Sequence, residues 1–295
     1  MEAFAAIAWE IAAQSGVRCA PAPQHSVGGG SVNACWRWPA GNGALFVKVG
    51  AAGVLTAFEA EAAGLAELAA ARALRVPRTV AVGQAEDASF LALEWLEAQA
   101  SDGACERRLG AGLAALHAIT AARFGWRREN TIGRTPQHNG WSADWAEFFG
   151  ERRLRPQLAL AITNGFGQLL DERGARLLEL LPTLLAAHAP APSLLHGDLW
   201  GGNWLALPCG EPVIFDPAVY FGDRETDIAM TRLFGGFGGS FYRAYEAAAP
   251  LATGAAQRTE LYNLYHVLNH ANLFGGGYAR QARAIIDRLL AQLGH

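Results

Sequence analysis

The second half of this 295-residue chain reads as one helix after another, and it is interrupted between Ser193 and Asp216. The interruption runs Leu195-His-Gly-Asp-Leu-Trp-Gly-Gly-Asn-Trp204, followed by a short apolar run, Val213-Ile-Phe215, that ends in Asp216. A hairpin-like loop of this kind brings two carboxylates and a carboxamide together inside helical sequence. The fold must therefore present one polar loop from a helical body, and the first 97 residues decide what faces it.

Those residues have a different rhythm. Phe4, Ile7, Ala8 and Ile11 share one face of a short amphipathic helix over 3–14, which Gly16 stops. A glycine loop follows, His25-Ser-Val-Gly-Gly-Gly-Ser31, and then two strand-like runs, Val32–Trp38 and Ala44–Val49, joined across the turn-forming Pro39-Ala-Gly-Asn-Gly43. Lys48 stands near the end of the second run. Val54–Leu74 has apolar spacing near 3.6 and carries Glu59, Glu61 and Glu67, and two further β-like runs follow at Arg78–Val82 and Phe90–Leu96. Glycine loop, strand, strand with Lys, helix with Glu, strand, strand is the order of a protein-kinase N-lobe. The rest predicts helices near 104–120, 142–160, 166–187, 225–233, 238–248, 256–272 and 277–292. The expected class is α+β, a bilobal protein-kinase-like fold with a small β-rich N-lobe over residues 1–97 and a larger, mainly helical C-lobe over 98–295.

Composition narrows the partners. A formal net charge of −3 without long runs of one sign argues against nucleic acid or anionic lipid and for small, roughly neutral ligands. Cys19, Cys35, Cys105 and Cys209 have neither zinc-site nor disulfide-framework spacing, which suits a reducing cytoplasm. The N-terminus lacks a basic leader, and the most apolar stretch, 177–195, is broken by Glu179, Pro182, His188, Pro190 and Pro192, so neither secretion nor a membrane span is expected. Of the 24 basic residues only Lys48 is lysine. Where arginine serves everywhere else, one retained lysine marks a position that needs a compact ammonium.

Transfer of a phosphoryl group needs a carboxylate beside the accepting hydroxyl and oxygen ligands that hold Mg²⁺ against a triphosphate. Asp198, Asn203 after the four intervening residues Leu-Trp-Gly-Gly, and Asp216 at the end of a strand supply that set, so Asp198 is the expected base and Asn203 and Asp216 the expected metal ligands. Lys48 is expected on the phosphates of ATP, braced by a helix carboxylate. Glu59 and Glu61 lie two positions apart and face different sides, and Glu61 is preferred, partly on the family pattern below. Gly28, Gly29, Gly30 and Ser31 let backbone N–H groups approach phosphate. His196 and the Asp223, Arg224 and Asp227 group are assigned to structure, Asp227 as a helix cap or a clamp on the catalytic loop. Gly197 stands where protein kinases have the arginine that receives an activation-loop phosphate, so that switch is not expected. His266 and His270 have zinc-like i, i+4 spacing but no third ligand, and read as a polar helix face.

These residues resemble the fructosamine kinase family, also called ketosamine-3-kinases, which is related to aminoglycoside and choline kinases. The resemblance spans nearly the whole chain and rests on Val27-Gly-Gly-Gly-Ser31, Phe46-Val-Lys-Val49, Phe58-Glu-Ala-Glu-Ala62, Asn130-Thr-Ile-Gly133, His196–Trp204, Phe215-Asp-Pro-Ala218, Tyr220–Glu225 and Phe234-Gly-Gly-Phe237. It implies ATP and Mg²⁺ as cofactors, Asp198 as base, Lys48 with Glu61 on the nucleotide, Glu94, Trp95 and Leu96 as the hinge facing adenine, and Asn203 and Asp216 as Mg²⁺ ligands. Trp200 is the candidate to stack on the sugar or its amine-bearing carbon, a buried core position being the alternative. The substrates implied are small-molecule ketosamines or glycated protein lysines, phosphorylated on the 3-hydroxyl in a deglycation repair activity. Ser31 departs from relatives that carry Cys there, which sets aside thiol control of the loop. A kinase of aminoglycosides or choline, and a nucleotide-binding pseudokinase, are the competing readings. Trp200 and Asp216-Pro-Ala218 disfavour the first, and retention of Lys48, Asp198, Asn203 and Asp216 disfavours the second.

Overall fold

In the computed structural model, residues 2–28 and 33–293 are described; Gly29, Gly30 and Ser31 of the glycine loop lie outside them. Helix α1 (Glu2–Ser15) precedes a five-stranded antiparallel sheet made of β1 (His25–Ser26), β2 (Ala34–Ala40), β3 (Gly43–Ala51), β4 (Thr79–Ala85) and β5 (Ala88–Glu94), in the order β1-β2-β3-β5-β4. Between β3 and β4 runs α2 (Leu55–Ala71).

Side chains alternate across a strand, and β3 uses both faces. Leu45 and Val47 enter a core with Ile7 and Ile11 of α1 and with Trp38, Phe90 and Ala92. Phe46 packs on the opposite face with Phe58 and Leu65 of α2 and Leu91 and Leu93 of β5. Lys48, two residues after Phe46, is placed on that second face by the same period.

The remainder comprises α3 (Gly103–His117), β6 (Asn130–Ile132), β7 (Thr135–Gln137), α4 (Trp145–Phe149), α5 (Arg155–Ala161), α6 (Gly167–Leu185), β8 (Ser193–Leu195), β9 (Trp204–Ala206), β10 (Pro212–Ile214), β11 (Tyr220–Gly222), α7 (Glu225–Leu233), α8 (Gly239–Ala248), α9 (Ala255–Phe274) and α10 (Gly277–Ala291). Every residue of α9 from Leu261 to Asn269 is buried, which makes it the central helix of this half. Helices α3 and α8 approach so closely that a Cβ on Gly110 would lie 2.3 Å from the carbonyl oxygen of Phe241. Arg75 ties the sheet half to this body, its backbone oxygen accepting from Ile214 N at 3.0 Å and its guanidinium lying between Glu94 and Glu211. Among the described residues no helix is long and apolar enough to cross a membrane.

Two expectations are corrected. The helical half has a second interruption, the β6–β7 hairpin; its three-residue strands are too short to show a readable period of two. The helix expected over 142–160 divides into α4, a wide turn at Gly150–Leu154 and α5. Pro156 in the first turn of α5 has no N–H to give to the turn before it, which relaxes the ladder there.

Burial also leaves a pH signature. His266 of α9 is 4% exposed, and desolvation pushes its imidazole down to about 3, with the neighbouring His270 adding to the effect. A histidine neutral in the fold and protonated in the unfolded chain contributes its full stability above pH 6.5. That contribution falls by about 1.4 kcal/mol per pH unit as the pH drops toward 3. His266→Gln should therefore flatten the acid limb, so that the stability gap between wild type and variant in urea unfolding narrows from pH 7 to pH 5. A gap that stays constant over that range would show that His266 does not titrate as described.

Candidate active site

The chain order β8, β9, β10, β11 is paired as nested antiparallel ribbons. Leu195 faces Tyr220 across β8–β11, and Trp204 faces Ile214 across β9–β10. Nesting sets the loop 196–203 directly against the loop 215–219. The register therefore brings Asp198 to Asp216, eighteen positions away in sequence.

Backbone bonds lock the two loops. Phe215 N donates to Asn203 O at 3.0 Å, Ala218 N to His196 O at 2.9 Å, and Asn203 N to Trp200 O at 2.9 Å. His196, fully buried, has its Nε2 2.9 Å from Phe215 O while its Nδ1 accepts from Asp198 N at 3.3 Å. A carbonyl can only accept, so these partners fix a neutral imidazole with its proton on Nε2. Burial, which lowers the pKa of this ring, acts in the same direction. Asp227, 1% exposed at the start of α7, accepts from His196 N at 2.8 Å, Gly197 N at 2.9 Å and His117 Nε2 at 3.1 Å. Of the two structural readings for Asp227, the geometry selects the clamp on the loop.

Gly201 and Gly236 meet backbone to backbone, since a Cβ on Gly236 would lie 2.6 Å from Gly201 Cα. The Phe234–Phe237 motif thus seats the turn after α7 against the loop 196–203, a role its sequence does not announce.

Lys48 is 7% exposed, and its Nζ lies 2.8 and 2.9 Å from the two carboxylate oxygens of Glu61 and in contact with Asp216 Oδ1. Glu59 turns the other way, toward Arg128. Burial alone would lower the Lys48 pKa, but Asp216 and Glu61 together hold it well above the ordinary value. Glu61 is pushed up to about 7 by burial, against the pull of Lys48. At Asp216 burial works upward as well, and Lys48 outweighs it, so this carboxylate stays ionised. Asp198 is raised to about 7 by burial and by the charges of Asp216 and Asp227, with the Asn203 amide opposing. Asn203 Nδ2 donates to Asp198 O at 2.8 Å, so the amide nitrogen is the end of this side chain that is tied to the loop.

Two cavities open here. The larger, about 460 Å³, is lined by Gly28, Phe46, Glu94, Trp95, Leu96 and Phe215 among others; the smaller, about 150 Å³, by Lys48, Glu61, Asp198, Trp200, Thr131 and Ala218 among others. Cys35, Asn203 and Asp216 line both. The carboxylate of Glu94 is engaged by Arg78 N at 3.0 Å and by Arg75. Trp200 is 37% exposed, not a core residue, and stands edge-on to Phe234, which in turn meets His270 at 4.7 Å. Thr131, Gly133, Pro217, Ala218 and Cys35 also line the smaller cavity; the sequence offers the first four only as members of motifs and Cys35 only as a scattered thiol, none with a role at the site.

Other polar clusters serve the scaffold. His188, Asp223 and Glu225 lie close enough to share an ion, yet Tyr262 and His188 engage Asp223 and Arg258 takes both oxygens of Glu225 at 2.7 Å. His270 Nδ1 donates to His266 O at 2.8 Å, and no metal-binding group including these two histidines forms among the described residues.

Residues 3–292 match the family model described as fructosamine kinase. A Synechocystis sp. protein named a probable ketoamine kinase is 46% identical over 285 residues, covering 96% of this chain and 96% of that one. The chloroplastic protein-ribulosamine 3-kinase of Arabidopsis thaliana is 41% identical over 271 residues, 91% of this chain and 82% of the relative. A solved Haemophilus somnus structure, named provisionally as a fructosamine-3-kinase, superposes with a TM-score of 0.90 at 29% identity, over 98% of both chains. Aminoglycoside phosphotransferase APH(4)-Ia, solved with AMP-PNP and hygromycin B, superposes with a TM-score of 0.60 at 18% identity, over 90% of this chain and 92% of that one. The α+β, protein-kinase-like fold expected from the sequence is the fold of this chain.

The clamp at Asp227 can be tested without a substrate. Asp227→Asn keeps the shape but replaces one accepting oxygen by a donor facing a backbone N–H, at a position with no access to water. Urea unfolding at pH 7 should show a loss of about 2–4 kcal/mol. A loss below about 0.5 kcal/mol, the range of an ordinary surface substitution, would mean the loop is held by something else.

Proposed function

The chain belongs to the fructosamine kinase family, and on that premise we propose that it transfers the terminal phosphoryl group of ATP to the 3-hydroxyl of ketosamines, as free small molecules or as glycated protein lysines. One observation carries the mechanism: Cys35, Asn203 and Asp216 form the wall common to two cavities, with hinge residues lining one and Asp198 lining the other. A nucleotide in the larger cavity and an acceptor in the smaller would meet across the two oxygen donors.

In this reading residues 1–97 form the nucleotide-binding lobe, and residues 98–295 supply the catalytic loop, the metal ligands and the acceptor site. The Asn203 amide oxygen and the Asp216 carboxylate are hard oxygen donors, the type Mg²⁺ takes. Bound there, Mg²⁺ supplies positive charge against the triphosphate. Lys48 leaves Asp216 for the phosphates while Glu61 keeps hold of its ammonium. Gly28 to Ser31 offer backbone N–H groups to phosphate, and Glu94, Trp95 and Leu96 face the base. Asp198 orients the acceptor hydroxyl and takes its proton. Trp200, open to the solvent beside Asp198, presents a ring face to the sugar or to its cationic amine. A reducing, cytoplasmic setting belongs to the same reading, supported by the free state of all four cysteines.

Asp198→Asn should leave nucleotide binding largely intact and lower turnover by roughly 10²-fold or more, because only positioning and proton acceptance are lost. Lys48→Arg should also be damaging despite its charge, since a planar fork does not replace a point charge held between two carboxylates and phosphate. Full activity in either variant would remove that residue from its role.

An ATP-consumption screen across ketosamines, aminoglycosides and aminoalcohols tests the substrate class, and the fate of the product tests the position. Phosphate on C3 lies next to the C2 carbonyl. Enolisation toward C1 gives an enaminol whose nitrogen lone pair expels the allylic phosphate, and hydrolysis of the resulting imine frees the amine and a deoxy-dicarbonyl sugar. With a glycated lysine derivative, ATP and Mg²⁺, amine and inorganic phosphate should therefore appear in equal amounts after the enzyme is removed. A phosphorylated adduct that persists for days would place the phosphate elsewhere.

A further inference from the structure

We propose that Gln137, at the end of β7, is a positioning residue for phosphoryl transfer, because it fixes a carbonyl group, that of Ala218, which bears on both the catalytic loop and the Asp216 loop. The inference builds on the roles assigned above to Asp198 and Asp216.

Asp216 adopts a left-handed backbone conformation, φ +55°, which a residue with a side chain holds only where its surroundings enforce it. Upstream the enforcement comes from Asn203 O and His196 Nε2 on the two sides of Phe215. Downstream it comes from the hairpin. Gln137 Nε2 donates to Ala218 O at 3.0 Å, and Asn130 Nδ2 donates to the next carbonyl, Val219 O, at 2.9 Å. Between Asp216 and Ala218 stands only Pro217, whose ring fixes φ and transmits a shift at one end to the other.

The same Ala218 carbonyl bears on the catalytic loop. Gly197, φ +84°, packs against it so tightly that a Cβ would lie 2.0 Å from the oxygen. Asp198 is the next residue. One peptide unit thus touches the residue before the base and lies two residues after the metal ligand, and the Gln137 amide holds it from the far side.

Gln137 has no freedom to do otherwise. It is 1% exposed, its Nε2 also donates to Asn130 Oδ1 at 2.9 Å, and its Oε1 accepts from Tyr265 of α9 at 2.8 Å. Asn130 Oδ1 also accepts from Asn139, whose own amide oxygen takes a bond from the fully buried Arg153. Gln137 lines neither cavity, so it acts through Ala218 and not on a ligand.

The test uses the full-length protein with Gln137→Glu, which keeps size and the acceptor for Tyr265 but sets an oxygen where the amide donated to Ala218 O. Turnover should fall by about 10- to 100-fold while KM for ATP changes by less than about threefold. In a binding assay free of turnover, the extra thermal shift that Mg²⁺ adds to ADP should shrink. A variant that melts lower, yet keeps wild-type turnover per folded molecule and the full Mg²⁺ increment, would overturn the proposal and leave Gln137 a packing residue. If Gln137→Glu does not fold, Tyr265→Phe decides, read against Gln157→Leu as a control, since the hydroxyl it removes orients the Gln137 amide and also meets Gln157. A fall of about 3- to 10-fold in turnover at unchanged KM for ATP supports the proposal, and unchanged turnover overturns it. Should the wild type phosphorylate an aminoalcohol or aminoglycoside in place of ketosamines, the substrate reading fails, and the same variants read on that acceptor still judge Gln137.

Discussion

A single buried ammonium sits where the two halves of the molecule meet. Lys48 comes from β3, Glu61 from α2 and Asp216 from the loop after β10, so one cation joins three segments that no regular secondary structure connects. Removing a charge from water costs several kcal/mol unless partners replace the lost hydration, and here two carboxylates do so. The cluster carries one negative charge more than it can balance. That excess falls on Glu61, the more deeply buried of the two carboxylates, and keeps Asp216 ionised at the edge of both cavities. An additional cation at Asp216, as proposed above, would relieve the excess.

Around this charge the backbone is unusually constrained. Nested ribbons set two loops face to face, Asp227 takes the N–H groups of His196 and Gly197, and the hairpin takes the carbonyls of Ala218 and Val219. Close approach does the rest. Gly197 fits against Ala218 and Gly201 against Gly236 because neither has a Cβ to obstruct the contact. Backbone dipoles held in this way need little rearrangement when charge develops beside them. The wide turn between α4 and α5 and the polar network from Arg153 to Gln137 belong to the same scaffold, and the network reaches the wall of the smaller cavity at Asn130.

Much of this is legible in the sequence. The order of elements predicts the fold and, with it, a helix carboxylate that braces Lys48. The Asp198, Asn203 and Asp216 set is readable because its spacing is local and its residue types are rare in combination. Less was visible in the β6–β7 hairpin, whose strands of three residues lie below the length at which alternation can be recognised. The roles of Gly236 and Gln137 were invisible for a different reason, since each depends on a partner more than 30 residues away and leaves no periodic trace.

The sequence by itself determined which chemical groups exist and along which local elements they are carried: the lone lysine, the glutamates of α2, the loop from His196 to Asn203. It left Glu59 and Glu61 as alternatives, Trp200 between core and surface, and Asp227 between cap and clamp. Tertiary structure decided each of these. Glu61 meets Lys48 while Glu59 meets Arg128, Trp200 remains open beside Phe234, and Asp227 bonds the loop. The reason is physical: local spacing fixes only the direction in which a side chain leaves its own helix or strand. What it meets depends on how distant segments pack, and on which buried polar groups must find partners once water is gone.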